Sequence, residues 1–182
     1  RKHHSGCHVL YAASKRVLGP HVWQNGAKKT VKQAHLDITH YKSLTQEEVS
    51  AIEREANRII QAGADIHTDF QAKDHAEQKH GFTLYQGGVV PGNELRIVDI
   101  DGIDTEACCG THCERSSEIG LLRIVKTARI SDGVVRLQYV AGERALDKSE
   151  QDTKILYELC NSWNVTSEEV VKTAANFFDG YK

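Results

Sequence analysis

The segment "LLRIVKTARISDGVVRLQYVAG" (121–142) decides the fold, because it predicts a β-hairpin. Two runs rich in Val, Ile, Leu and Tyr flank Asp132-Gly133. An Asp-Gly pair between two such runs is a strong signal for a tight turn between antiparallel strands. The hairpin therefore predicts that the sheet of this chain is mainly antiparallel.

The segments before the hairpin add further strands and helices. Strands are predicted from their apolar patterns at 34–41, 65–70, 93–102 and 104–109. Helices are predicted at 5–18, 45–62, 73–81, 147–163 and 166–179, with one helical turn at 114–120. Two of the helices begin with capping boxes, formed by Thr45 with Glu48 and by Thr166 with Glu169.

This mixture predicts an α+β fold in which a mainly antiparallel sheet packs with helices. The character of the sequence changes after Gly142, and we place a boundary near Leu146. Residues 1–146 are expected to form the α+β domain. Residues 147–182 are expected to form a C-terminal helical extension.

Composition restricts the class of protein. The chain has 182 residues, of which 40% are hydrophobic and 26% charged, as is typical of a globular protein. The net charge of -2 excludes a molecule-wide attraction to polyanions, so nucleic-acid contact would need a local patch. No apolar run approaches the roughly 20 residues that a bilayer span requires, so no membrane partner is expected.

The five cysteines indicate a metal site rather than a disulfide framework, because three of them lie within six residues. Free thiols are typical of a reducing compartment, which predicts a cytoplasmic location. The chain contains no methionine, and we therefore expect it to be a segment of a larger protein.

Two short pairs of candidate metal ligands lie far apart in the sequence. His4 and His8 are four positions apart, a spacing that places both imidazoles on one face of a helix. Cys108 and His112 repeat this spacing in "ACCGTHC" (107–113), where Gly110 is expected to let the backbone turn. Three imidazoles and one thiolate suit Zn²⁺, so the spacing predicts a zinc site.

Neighbouring residues could replace one of these ligands. His3 and Cys7 point about 100° away from the ligand face of the helix, which makes them less suited. Cys109 and Cys113 stay open, because the loop geometry does not follow from the sequence. Four protein ligands are typical of a closed, structural zinc site, so the ligand count alone does not define a function.

Longer segments carry a resemblance to one family. They are "HHSGCHVLYAASKRVLGPHVWQNGA" (3–27), "AEQKHGFTLYQGGVVPG" (76–92), "ACCGTHC" (107–113) and "RLQYVAGERAL" (136–146). Together they resemble the archaeal type of the alanyl-tRNA synthetase editing domain, which is related to the second additional domain of threonyl-tRNA synthetase. The resemblance covers about the whole chain and is strongest over 1–146. The tail resembles the start of a helical region that leads to a C-terminal domain.

The resemblance implies an editing hydrolase within an alanine–tRNA ligase. Such a domain hydrolyses the ester of Ser-tRNA(Ala) and Gly-tRNA(Ala), while the parent enzyme attaches alanine to tRNA(Ala) using ATP. Carried over by motif, the zinc ligands are His4, His8, Cys108 and His112.

The resemblance also implies candidate catalytic residues, Gln24 and Cys7. Gln24 matches the glutamine of the VxQxG motif that lines the amino-acid pocket of the family. Cys7 replaces the threonine of the usual HSATH motif, and Cys109 stands where the family generally has glycine. Gln24 is the first candidate to bind the serine hydroxyl. A pocket built to bind a hydroxyl rejects alanine, because its polar group is then left unpaired.

The expected partner is the single-stranded acceptor end of tRNA(Ala). Candidate RNA-binding residues are Lys28, Lys29, Lys32 and Tyr85, although the lysines could equally form a solvated face. The other expected partners are the rest of the parent chain and, through its C-terminal region, a second copy. Two alternatives stay open: a non-catalytic, zinc-stabilised RNA-binding module, and a free-standing trans-editing deacylase.

Overall fold

The computed structural model describes residues 1–88 and 90–179. Val89, in the predicted glycine-rich loop 85–92, and residues 180–182, in the predicted extension, lie outside the described residues. The chain divides into two compact units, Arg1–Ala145 and Leu146–Lys182. The functions expected for 1–146 and 147–182 stay predictions.

The described residues form seven strands and five helices. The strands are β1 (Gln24–Lys29), β2 (Ala34–Thr39), β3 (Ile66–Ala72), β4 (Glu94–Ile100), β5 (Asp104–Ala107), β6 (Leu122–Ser131) and β7 (Val134–Ala141). The helices are α1 (Lys2–Leu18), α2 (Gln46–Ala62), α3 (Lys73–His80), α4 (Glu143–Trp163) and α5 (Val170–Asp179). Short 3₁₀ turns occupy Phe82–Leu84 and Ser116–Ile119.

The predicted α+β fold with antiparallel pairing is confirmed, with the strands divided between two sheets. The four-stranded sheet has the order β1-β2-β7-β6, and the three-stranded sheet has the order β3-β4-β5. Every neighbouring pair is antiparallel. The segment 121–142 forms the predicted hairpin of β6 and β7.

The capping box at α2 forms as predicted, whereas α5 begins later than expected. The Thr45 hydroxyl accepts from the Glu48 backbone N–H, and the Glu48 carboxylate accepts from the Thr45 N–H. In the second box, the Thr166 hydroxyl instead donates to the Glu169 carboxylate. The Glu169 carboxylate also accepts from the Thr166 N–H, so this half of the box forms, and the helix starts at Val170 rather than at 166.

Helix α1 lies at the centre of the main core, and residues 5–14 are all buried. It packs on α2 and on strands of the four-stranded sheet. Strand β4 separates two clusters by the alternation of its side chains: Leu95 and Ile97 face a small cluster with α3, while Val98 and Ile100 face the main core. Helix α1 and the segment after β5 both contribute residues to the main core, which fixes their relative positions.

Within the described ranges, no helix is both long enough and apolar enough to cross a membrane.

Candidate metal centre

The two predicted ligand pairs meet in the structure. One potential ligand atom from each of His4, His8, Cys108 and His112 lies within 4.8 Å of all the others. The Nε2 atom of His4 is 3.2 Å from the sulfur of Cys108. The Nε2 atoms of His8 and His112 are buried and have no hydrogen-bond partner among the described residues. Buried, unpartnered nitrogens that converge on a thiol are the donor arrangement that a bound metal ion would satisfy.

Two elements deliver these ligands. His4 and His8 lie one turn apart on α1, with their rings stacked at a centroid distance of 5.9 Å. Cys108 directly follows β5, and His112 lies in the loop beyond it. Gly110 passes directly over the His4 ring, where a Cβ atom would lie 1.8 Å from His4 Cε1. Its missing side chain makes this close approach possible, and it does not adopt a positive φ.

Two side chains hold the loop that carries Cys108 and His112. The Arg96 guanidinium donates to the carbonyl oxygens of Cys108 at 2.7 Å and of Gly110 at 2.9 Å. The Ser5 hydroxyl, one residue along α1 from His4, accepts from the Cys113 N–H at 2.9 Å and lies 3.4 Å from His112 Nδ1. With Nδ1 occupied in this way, the Nε2 atom of His112 is the one available to a metal ion.

A buried carboxylate orients His8. The Nδ1 atom of His8 donates to Glu106, which is only 1% exposed, and Asp104 lies 3.8 Å from the same nitrogen. Burial opposes a charge on His8, but the Glu106 and Asp104 carboxylates raise its pKa well above the ordinary value. Because Nδ1 is hydrogen-bonded to Glu106, the unpartnered Nε2 atom is the nitrogen available to a metal ion. A carboxylate behind a ligating imidazole is the usual arrangement around protein-bound zinc.

The electrostatics favour a thiolate at Cys108. Burial raises the pKa of this thiol, but the imidazoles of His112, His4 and His8 lower it by more, to about 2. The thiolate is the form that binds metal ions. Three imidazoles and one thiolate, with His8, His112 and the loop of Cys108 held by hydrogen bonds, therefore fit Zn²⁺.

Among the described residues, the four alternative ligands considered from the sequence do not belong to this group; they are His3, Cys7, Cys109 and Cys113. His3 donates from Nδ1 to the Thr30 carbonyl at 2.8 Å, and its own carbonyl accepts from Tyr139. Cys109 is exposed, whereas Cys7 and Cys113 are buried in the main core.

The predicted pocket residue Gln24 is 7% exposed and is connected to the cluster by hydrogen bonds. Its Nε2 atom donates to Gln86 at 3.1 Å, and Gln86 in turn donates to Glu106. Cys7, the other candidate catalytic residue, is only 1% exposed, and burial raises the pKa of its thiol. The roles of Gln24 and Cys7 toward a substrate stay predictions.

The predicted RNA-binding residues do not form a single group. Lys28 and Lys32 are exposed at the β1–β2 hairpin. Lys29 lines a cleft of about 570 Å³ together with His4 and residues Arg1, Lys2, His3, Thr30, Val31, Thr111, Ala141, Glu143 and Arg144. Tyr85 is half-buried elsewhere, and its hydroxyl donates to Glu77. The cleft is rich in basic side chains and is bordered by His4 of the metal cluster.

Sequence reasoning missed the residues that support the ligands. Glu106 had a usable signal, since it is an acidic residue inside a short strand and two positions before Cys108. Ser5 also adjoins a ligand in sequence. Arg96 and Gln86 lie 12 and 20 residues from the groups that they contact, so no local pattern indicates them.

Comparison with known proteins shows a similarity to one family over part of this domain. The family described as "Threonyl and Alanyl tRNA synthetase second additional domain" matches residues 95–138. The matched segment contains Arg96, Glu106, Cys108 and His112, which are half of the ligand set and two of its supports.

The similarity to individual proteins covers the whole chain. Over 181 residues, the chain is 44% identical to the alanine–tRNA ligases of Methanococcus aeolicus and Methanopyrus kandleri, and 41% identical to that of Methanobrevibacter smithii. Each match covers 100% of this chain and 20% of the relative, so the chain spans about a fifth of the length of these relatives. The resemblance to the editing domain of alanyl-tRNA synthetases is thereby confirmed.

Proposed function

We propose that this chain is the editing hydrolase of an alanine–tRNA ligase, which removes serine and glycine from mischarged tRNA(Ala). The observation that carries this proposal is the convergence of His4, His8, Cys108 and His112 beside a buried glutamine, in a chain similar throughout to alanine–tRNA ligases. The parent enzyme would attach alanine to tRNA(Ala) using ATP. A cytoplasmic location follows from that role.

The same four residues would hold zinc. When bound, zinc supplies a Lewis acid that can orient an ester carbonyl or lower the pKa of a water molecule. The surrounding residues fix the ligands: Glu106 holds His8, and Arg96 holds the loop of Cys108. A set of four protein ligands is typical of a closed site, so a structural role is favoured over direct contact with the ester or activation of water.

Selectivity would come from polar groups that recognise the side chain of the amino acid. Serine differs from alanine by one hydroxyl group. Gln24 carries a buried Oε1 atom without a hydrogen-bond partner among the described residues. An acceptor of this kind is satisfied by the serine hydroxyl and is left unpaired by alanine. Glycine leaves this acceptor unpaired as alanine does, so the proposed removal of glycine rests on the resemblance and not on Gln24.

The acceptor end of tRNA(Ala) would approach through the basic cleft. Arg1, Lys2 and Lys29 line it, and His4 joins the cleft to the metal cluster. Basic side chains bind the phosphates of a single-stranded RNA end without reading its sequence. Lys28 and Lys32, exposed on the same hairpin as Lys29, would extend this surface.

The test is deacylation of Ser-tRNA(Ala), Gly-tRNA(Ala) and Ala-tRNA(Ala) by the zinc-loaded chain. We expect release of serine and glycine and retention of alanine, with activity lost in Cys108→Ser and kept in Cys109→Ser. Binding of tRNA without release of serine would contradict the proposal and indicate a non-catalytic RNA-binding module. Equal activity with and without the rest of the synthetase would instead favour a trans-editing role.

A further inference from the structure

Three side chains form a hydrogen-bonded chain that ends at the ligand His8. Gln24 Nε2 donates to Gln86 Oε1 at 3.1 Å, Gln86 Nε2 donates to Glu106 Oε2 at 2.9 Å, and the same oxygen accepts from His8 Nδ1. The members come from β1, from the loop after the 3₁₀ turn at 82–84, and from β5. Only Glu106 contacts a ligand directly.

The direction of this chain is fixed by its last member. The Glu106 Oε2 atom is an acceptor for both of its neighbours, so Gln86 must present its NH₂ group to it. The carbonyl oxygen of Gln86 then faces Gln24, which must in turn present its own NH₂ group. The hydrogen-bonded chain therefore ends at the Oε1 atom of Gln24, which is buried and has no partner among the described residues.

The backbone fixes the position of Gln86. The next residue, Gly87, has a φ of +82°, and a Cβ atom there would lie 2.8 Å from the carbonyl oxygen of Asn25. The loop can pack this closely on β1 only because position 87 is glycine. Since Asn25 adjoins Gln24, the contact holds the Gln86 side chain beside that of Gln24.

We propose that Gln86 is a positioning residue for amino-acid selectivity. It holds the Gln24 amide so that an acceptor oxygen, and not a donor NH₂ group, faces the substrate. The site would thereby select side chains that donate a hydrogen bond, of which the serine hydroxyl is the smallest. This inference rests on the proposed function, because selectivity requires that the site deacylates tRNA.

The test compares Gln86→Met with Gln61→Met, a matched control on the exposed end of α2. Methionine keeps the size of the side chain and removes its amide donor and acceptor. We expect Q86M to lower the ratio of kcat/KM for Ser-tRNA(Ala) over Ala-tRNA(Ala) about tenfold or more, since Gln24 is free to turn. Q61M is expected to keep the wild-type ratio.

Two further measurements separate positioning from collapse of the site. The side-chain amide NMR signals of Gln24 should shift in Q86M. The visible spectrum of bound Co²⁺ should stay unchanged, because Glu106 still holds His8. An unchanged Ser/Ala ratio, unchanged Gln24 signals or an altered Co²⁺ spectrum would overturn the inference. If the wild-type chain is inactive, the proposed function itself is overturned. If the wild-type chain is active and Q86M has the same Ser/Ala ratio, only the role of Gln86 is overturned.

Discussion

Gly110 is required by the imidazole beside it rather than by an unusual backbone conformation. The sequence suggested a glycine for turning the loop, yet its φ is not positive, and its Cα faces the His4 ring directly. The closeness of loop and helix is what allows His4 and Cys108 to reach each other. A single added methyl group therefore acts on the metal cluster.

We predict that Gly110→Ala weakens zinc binding roughly 10–100-fold, the range seen when the surroundings of metal ligands are disturbed. The added Cβ atom would displace the His4 ring. A competition titration with a chromogenic chelator measures the effect. Gly88→Ala is the control, because a Cβ atom there meets nothing within 4 Å and φ is not positive. Equal affinities of the two variants would contradict this reading of Gly110.

Among the elements, α1 and α2 are joined at the surface by a charged group. The Glu55 carboxylate accepts from Arg16 of α1 at 3.0 Å and from Arg58 of its own helix at 2.7 Å. The hydrogen bond from Arg58 lowers the pKa of Glu55 most strongly; burial opposes this, and Arg16 adds to the lowering, which brings the pKa to about 2. The pairs stabilise the ionised form of Glu55.

We predict that Glu55→Gln lowers the free energy of unfolding by about 0.5–1 kcal/mol at pH 7, since both arginines are partly exposed and screened. A lowered pKa means that the wild-type advantage is fully present above the ordinary value of 4.5 and disappears as the pH falls toward 2. Urea unfolding at several pH values measures it, with the exposed Glu94→Gln as control. A difference in unfolding free energy between wild type and Glu55→Gln that grows as the pH falls would contradict the lowered pKa of Glu55.

Among the helices, strands and turns, the sequence best predicted the features that depend on residues close together in the chain. The capping box of α2 and the turn between β6 and β7 depend on residues three or fewer positions apart, and both were predicted. Strand β1, "QNGAKK", was missed because it lacks apolar alternation. Its pairing with β2 even shifts register between Gln24 and Gly26. Tertiary pairing, not propensity, makes it a strand.

The same distinction applies to the candidate site. Each ligand pair was predicted from a spacing of four residues, which places two groups on one helix face or loop. That the two pairs meet was predicted first from their spacing and then from the resemblance, and the packing of α1 against the strands brings them together. The supports Arg96 and Gln86 act on groups 12 and 20 residues away, so their roles appear only once the chain is folded, whereas Glu106 lies two positions before Cys108 and could have been proposed from the sequence.

At the scale of the whole molecule, a metal ion would link segments about a hundred residues apart. His4 and His8 stand near the start of the chain, and Cys108 and His112 lie after β5. A ligand that binds only the folded state stabilises it by about 4 kcal/mol at a thousandfold excess over its Kd. For a chain of this length, that corresponds to a rise in Tm of about 10 °C.

We therefore predict that a chelator lowers the Tm of the wild-type chain by about 10 °C and that added zinc restores it. Differential scanning calorimetry measures the change. The variant Cys108→Ser should melt at the same temperature with and without zinc, whereas Cys109→Ser should behave as wild type. A Tm that zinc does not alter in the wild type would contradict a link between the two segments.

The central claim, that both pairs bind one ion, is tested most directly by zinc K-edge X-ray absorption on the loaded wild-type chain. We predict one zinc per chain, with three nitrogen neighbours at about 2.0 Å and one sulfur at about 2.3 Å, the distances usual for these ligands. The sulfur shell should vanish in Cys108→Ser and persist in Cys109→Ser. A zinc ion without sulfur, or with two sulfurs, in the wild-type chain would contradict the account.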